Sequence, residues 1–166
     1  MRGTALNDAF GHHAWATLRL MDECGSLTWE QLTEQVPGTY GSILDTLRHL
    51  VGSDAWYLFV LTGGRSAQID EETMSLEGLR AVIVRHEASW LSLLAEGQDP
   101  ERDVVVNRED GTESHAPLGI RLAQALHHGT DHRSQICTGL TALGVEPPEI
   151  DVWAYGELDG RVFTVE

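Results

Sequence analysis

The stretch HHGTDHRSQI, His127 to Ile136, sets His128 and His132 four residues apart in a segment with helical periodicity. Four residues is about one helical turn, so the two imidazoles stack on one face and can converge on a single ion. Neutral imidazole is the commonest protein ligand for metals such as zinc, nickel, copper and iron. Eight histidines in 166 residues give about 0.4 such pairs by chance, so the spacing acquires meaning only in structural company.

Working outward, Pro117 opens this helix and Gly144 stops it, over about residues 117 to 143. Its inner face reads Leu122, Ala125, His128, His132, Gln135 or Ile136, Gly139 and Leu143. The two histidines therefore replace apolar residues in the middle of a stripe expected to be buried. Imidazoles buried without partners waste hydrogen-bonding capacity, which favours a metal or a polar cavity over plain packing. A third imidazole, His49, lies in LDTLRHLVGSDAWYLFVL, residues 44 to 61. Ser42 with Asp45 resembles a capping box at the start of that helix, and Gly63-Gly64 is its stop. Leu47, Leu50, Val51, Leu58 and Leu61 supply apolar area, whereas the His49 face carries Thr46, Gly52, Ser53 and Trp56 and leaves room for a cavity. Taken alone, His49 reads as a buried histidine bonded to a carbonyl. Taken with the pair, it supplies a third ligand from a neighbouring helix.

Two more helices complete the pattern. Thr4 caps a first helix of about residues 5 to 23, with Leu6, Phe10, His13, Thr17, Leu20 and Cys24 on its inner stripe. His13 fits a hydrogen-bonded core role better than a ligand role, and His12 is expected to be solvated. Residues 24 to 41 form a connection with a helical turn at Thr28 to Gln35. A third helix runs from about Glu71 to Glu96 after an acidic start, its stripe Leu76, Leu79, Ile83, His86, Trp90 and Leu93 or Leu94. His86 has no partner ligand at helical spacing and reads as structural. DVVVNREDGTESHAP, residues 103 to 117, is a hairpin turning at Asp110-Gly111 and covering one end of the bundle, with His115 exposed. The tail from Val145 carries Trp153, Tyr155 and Phe163 and is expected to pack back on the helices. The fold class is thus all-α: one domain over residues 1 to 166, a four-helix bundle with a small β-hairpin between helices three and four.

A net charge of -15 repels a phosphate backbone and argues against nucleic-acid binding. All 11 basic residues are arginine, so Schiff-base chemistry, a phosphate-loop lysine and a Ser-Lys dyad are excluded. Cys24 and Cys137 stand far apart, outside any Cys-x-x-Cys arrangement, and read as half-buried thiols in a reducing cytoplasm. Neither a signal-peptide apolar region nor a run long enough to span a membrane is visible, so no membrane partner is expected.

The phrases TLRHLVGSDAWYL, HHGTDHRSQI and WATLRLMD, in this order of elements, resemble the DinB-like family of bacterial DNA-damage-inducible and thiol-transferase proteins over nearly the whole chain. The resemblance implies a four-helix bundle binding a divalent metal (zinc, nickel or iron) through His49, His128 and His132. The family phrase His-Arg-Gly-Gln stands here as His132-Arg133-Ser134-Gln135, with Ser for Gly. Relatives that use mycothiol, bacillithiol or a related small thiol imply a metal-dependent S-transferase with an electrophilic substrate, and a homodimer. Abundant Trp and Tyr in so acidic a chain point to a dimer as well. Two other functions stay open. One is a hydrolase using metal-activated water, for which Asp45 and Asp131 are the nearest carboxylates in sequence and neither is well placed. The other is a non-catalytic stress-response protein that binds a metal. The roles of His13, His86, Arg133 and Gln135 are not fixed by the sequence, and Arg133 fits a structural ion pair as well as a substrate carboxylate.

Overall fold

The computed structural model describes residues 3–158 and 160–165. Residues 1, 2, 159 and 166, which the one-domain reading and the tail expectation include, lie outside them. The first three helices each start where a side chain answers the free amides of the first turn. Thr4 and Asn7 form a reciprocal capping box at α1 (Ala5–Cys24), Thr28 and Gln31 another at the one-turn helix α2 (Trp29–Thr33), and Ser42 and Asp45 a third at α3 (Ile43–Leu61). Gly63 and Gly64 end α3 with positive φ, and the Gly64 amide reaches back to the Phe59 carbonyl. The third long helix starts later than expected. Glu71–Thr73 is a separate 3₁₀ turn, and α4 (Leu76–Ala95) begins behind Ser75, whose hydroxyl accepts from the Gly78 amide. That local cap wins over the favourable charge of the acidic run before it.

Strands β1 (Asp103–Asn107) and β2 (Glu113–Pro117) pair antiparallel with Val105 opposite His115. The Asp110 carboxylate accepts from the Thr112 amide, and Gly111 takes positive φ at the turn. Arg121, from α5 (Leu118–Ala142), donates to the carbonyls of Val104 and Ser114 and ties the hairpin to the bundle. The long helices form a ring: α1 packs on α4 and α5, and α3 packs on the same two, so α1 and α3 face each other diagonally. Among the described residues, no helix is long and apolar enough to cross a membrane.

The core falls into two apolar clusters. One gathers Leu20, Leu44, Leu47, Leu79, Ile83, Ile136 and Leu140. The other gathers Phe10, Leu58, Trp90, Leu93 and Leu122 under the hairpin residue Val104. Between them each long helix contributes a buried polar residue: His13 and Thr17, Asp54, His86, and Arg133.

Several expectations on packing are corrected. Leu6 is exposed, and burial on the α1 stripe begins at Phe10. Cys24 is fully buried, not half-buried. The tail does return to α1, through the short helix α6 (Val152–Leu158), but the residue that packs is Tyr155 against Trp15 and His12, while Trp153 and Phe163 stay exposed. His12 is half-buried rather than solvated, because its Nε2 donates to the Ile150 carbonyl at 2.7 Å. On α5 the buried stripe passes through Gly129 and Arg133, so His128 sits at its edge and Leu143 is only partly covered. His115 is exposed as expected, paired with Asp103 and Glu113.

Candidate metal centre

α3 and α5 lie side by side, and that contact carries His49 to the pair on α5. His128 Nε2 is 3.2 Å from His49 Nε2 and 3.1 Å from His132 Nε2, and the three donor atoms all lie within 4.8 Å of one another. Four-coordinate zinc with Zn–N bonds near 2.05 Å requires neighbouring nitrogens about 3.3 Å apart, so the spacing suits one ion. A ring nitrogen carries either one proton or one lone pair. Three Nε2 atoms aimed at one point cannot all be satisfied by one another, whereas a cation accepts all three lone pairs. Electrostatics agree. Burial and the charges of His132 and His49 push His128 down to about 4, and burial with His49 also lowers His132, which keeps both rings neutral at pH 7.

The rings are boxed in by aromatic neighbours. Tyr40 stacks on His49 at 4.1 Å and stands edge-on to His132, while Tyr57 borders His128. Trp56, expected on the His49 face, is exposed. The Tyr40 amide donates to Gln135 Oε1 at 2.8 Å, which gives Gln135, three residues after His132, the task of holding the Tyr40 loop. A cavity of about 500 Å³ opens beside His49, lined by Tyr40, Asp45, Arg48, Glu71 and Glu72.

Glu71 is the residue that sequence reasoning missed. Its Oε1 lies 3.8 Å from His49 Nδ1, and burial raises its carboxyl pKa, partly offset by His49. The carboxylate that the fold pairs with an imidazole of the site is thus Glu71, at the Nδ1 edge of His49, and neither of the two named from the sequence. Its only sequence signal was an acidic run that reads equally well as a helix start. Asp45 is engaged by Ser42 and Gln35, and Asp131 by Gln135, so neither carboxylate named from the sequence is uncommitted.

Arg133 and His13 belong to the polar layer, not to the donor set. Arginine only donates, so Arg133 Nη1 at 2.9 Å makes His13 Nδ1 the acceptor, and His13 Nε2–H donates to Asp54 Oδ2 at 2.7 Å. Burial lowers Arg133 to about 10, still charged at pH 7. Gly129 supplies the space, since a Cβ there would overlap His13 and come within 3.0 Å of Arg133 Nη1. His86 is buried in the same layer, its Nδ1 without a partner among the described residues, and joins no metal cluster.

Two helices offering one and two imidazoles, with the His132-Arg133-Ser134-Gln135 phrase on the second, is the arrangement that the resemblance implied. The sequence profile of the DinB family matches residues 1–161. The chain belongs to the DinB family. A search of curated proteins found no match to it. In this DinB protein the candidate donor set is three imidazole nitrogens on two helices. That chemistry can hold a divalent ion and does not by itself select zinc, nickel or iron. The chain's own thiols are poor nucleophiles, because burial pushes Cys24 up to about 12 and also raises Cys137.

Proposed function

We propose that this DinB protein is a metal-dependent transferase that joins a low-molecular-weight thiol to an electrophilic substrate. The observation that carries the reading is the convergence of three imidazole Nε2 atoms beside a cavity large enough for a small molecule. A divalent ion held there would lower the pKa of a thiol and supply a nucleophile at neutral pH. In the transfer the sulfur lone pair forms the bond to the electrophilic carbon, the leaving group departs with its bonding pair, and the thiol proton passes to solvent. His49, His128 and His132 would hold such an ion at three positions and leave the rest for substrate. Tyr40, fixed through Gln135, shields one side of the imidazoles from water, and the cavity receives the substrate.

Glu71 favours a second reading, hydrolysis by activated water with a carboxylate base. Its position argues for the first. Glu71 faces the Nδ1 edge of His49, on the far side of the ring from Nε2, where it can orient the ring more readily than it can reach a water at the donor cluster. A thiol with an ordinary pKa near 8.5 also needs less help from a base than water does.

Isothermal titration of untagged protein with zinc and nickel should give about one ion per chain, and His132→Ala should abolish the site. A His132→Ala chain that binds both ions as tightly as wild type ends the metal reading. For the chemistry, cobalt-substituted protein should gain an intense sulfur charge-transfer band when mycothiol or bacillithiol is added, with thiol-dependent turnover of electrophiles. No band together with thiol-independent hydrolysis would transfer the assignment to the hydrolase. No band and no turnover would leave a metal-binding stress protein.

A further inference from the structure

Helix interiors disfavour glycine, yet α3 carries Gly52 three residues after His49, on the same side of the helix. The reason lies across the gap. A Cβ at Gly52 would overlap the Glu71 carboxylate and come within 3.0 Å of Glu71 Cβ. The 3₁₀ turn that bears Glu71 is pinned near the same helix, because Arg48 Nε donates to the Met74 carbonyl at 3.1 Å and Thr73 bonds Asp70. Glu71 is thus set against α3 from outside the bundle, beside the ring of His49.

We propose that Gly52 and Glu71 form a seat behind His49, in which the absent side chain at 52 admits the Glu71 carboxylate to the Nδ1 edge of the ring and so aims Nε2 at the metal. The inference rests on the metal reading above. A neutral imidazole that gives its Nε2 lone pair to an ion carries its proton on Nδ1. A carboxylate accepting that proton fixes the tautomer, restrains rotation of the ring and raises the basicity of the ligand. The present separation of 3.8 Å is an ion-pair distance, longer than a hydrogen bond by less than about 1.1 Å. Among the described residues, His49 is the one ring of the three with a carboxylate paired to it, and the Nδ1 atoms of His128 and His132 are buried without partners. Glu71 is a positioning residue, acting on the ion through His49.

Zinc affinity, measured by competition with a chelating dye, tests the seat in five chains: wild type, Glu71→Ala, Glu71→Gln, Gly52→Ala and the Gly52→Ala/Glu71→Ala double variant. Glu71→Ala and Gly52→Ala should each weaken binding roughly 10- to 100-fold. Glu71→Gln, which keeps an acceptor oxygen, should lose less. The double variant should bind no worse than Glu71→Ala, since both changes remove one contact. The metal-free Gly52→Ala protein should still fold cooperatively, because alanine favours helix and the hard overlap is with the movable carboxylate, the approach to Glu71 Cβ needing only a small shift of the 3₁₀ turn. Nuclear magnetic resonance of the zinc-loaded protein should show a slowly exchanging His49 Nδ1–H in wild type and Glu71→Gln that disappears in Glu71→Ala. Glu71→Ala protein with wild-type zinc affinity and an unchanged Nδ1–H signal overturns the seat, even where Gly52→Ala fails to fold. In that case a zinc-binding wild type and a non-binding His132→Ala leave the metal site standing. A wild type that takes up no zinc removes both.

Discussion

His128 sits half-buried against two other imidazoles, and burial with its neighbours' charge pushes its pKa from 6.5 down to about 4. His86 and His132 are lowered too, in both cases chiefly by burial. In the unfolded chain these rings take up protons near pH 6.5, whereas the folded chain resists until lower pH. Between about pH 6.5 and 4 the unfolded state therefore holds more protons, and stability falls as pH falls through that window. Exposed His115 has the opposite sign: its pKa is raised by Asp103 and Glu113, so its contribution is present at low pH and lost as pH rises. Solvent screens that pair, and the buried rings should dominate. The urea midpoint of chelator-treated protein should be lower at pH 5 than at pH 7; an equal or higher midpoint at pH 5 would contradict the assignment.

At the scale of elements, the buried layer of His13, Asp54 and Arg133 joins α1, α3 and α5 across the diagonal of the bundle. It separates the two apolar clusters and lies next in sequence to the site, since Arg133 follows His132 and Asp54 follows His49 by little more than one turn. His13 bridges an anionic and a cationic group, each buried. Removing a bridge of this kind leaves charges uncompensated, which costs about 3–5 kcal/mol. His13→Phe, which replaces the ring without its nitrogens, should lower unfolding free energy by about that amount in urea titration. A His13→Phe chain as stable as wild type would show that Asp54 and Arg133 find other partners.

For the whole molecule, an ion bound to ligands on two helices stabilises only the folded state. At a hundredfold excess over Kd the gain is about 2.7 kcal/mol, which in a chain of this size shifts Tm by roughly 5 to 10 °C. Calorimetry before and after chelation, on protein shown to contain metal, should reveal that drop, and an unchanged Tm would count against a site bridging α3 and α5. We also propose a homodimer. Trp29, Trp153 and Phe163 are exposed aromatics, the residue type favoured in interface cores. Light scattering should give twice the chain mass of 18.3 kDa, and a monomer mass at every accessible concentration would refute it.

Periodicity, capping residues and glycine stops were enough to read four long helices, the hairpin and the pair His128 and His132, because all of these are set by residues within a few positions of one another. His49 alone read as a core histidine; it became legible as a third donor once it was taken with that pair, and the family phrases imply the same residue. What only the tertiary structure decided lies between elements. Glu71 stands 22 positions from His49 in sequence, and its acidic run fits a helix start until the cap at Ser75 takes that role. Arg133 fitted a structural ion pair and a substrate carboxylate equally well until Gly129 opened room for His13, and Gln135 had no visible task until the loop bearing Tyr40 folded onto it. A spacing rule reports which side chains share a helix face. Which face meets which, and what the small residues there let in, depends on packing between distant segments.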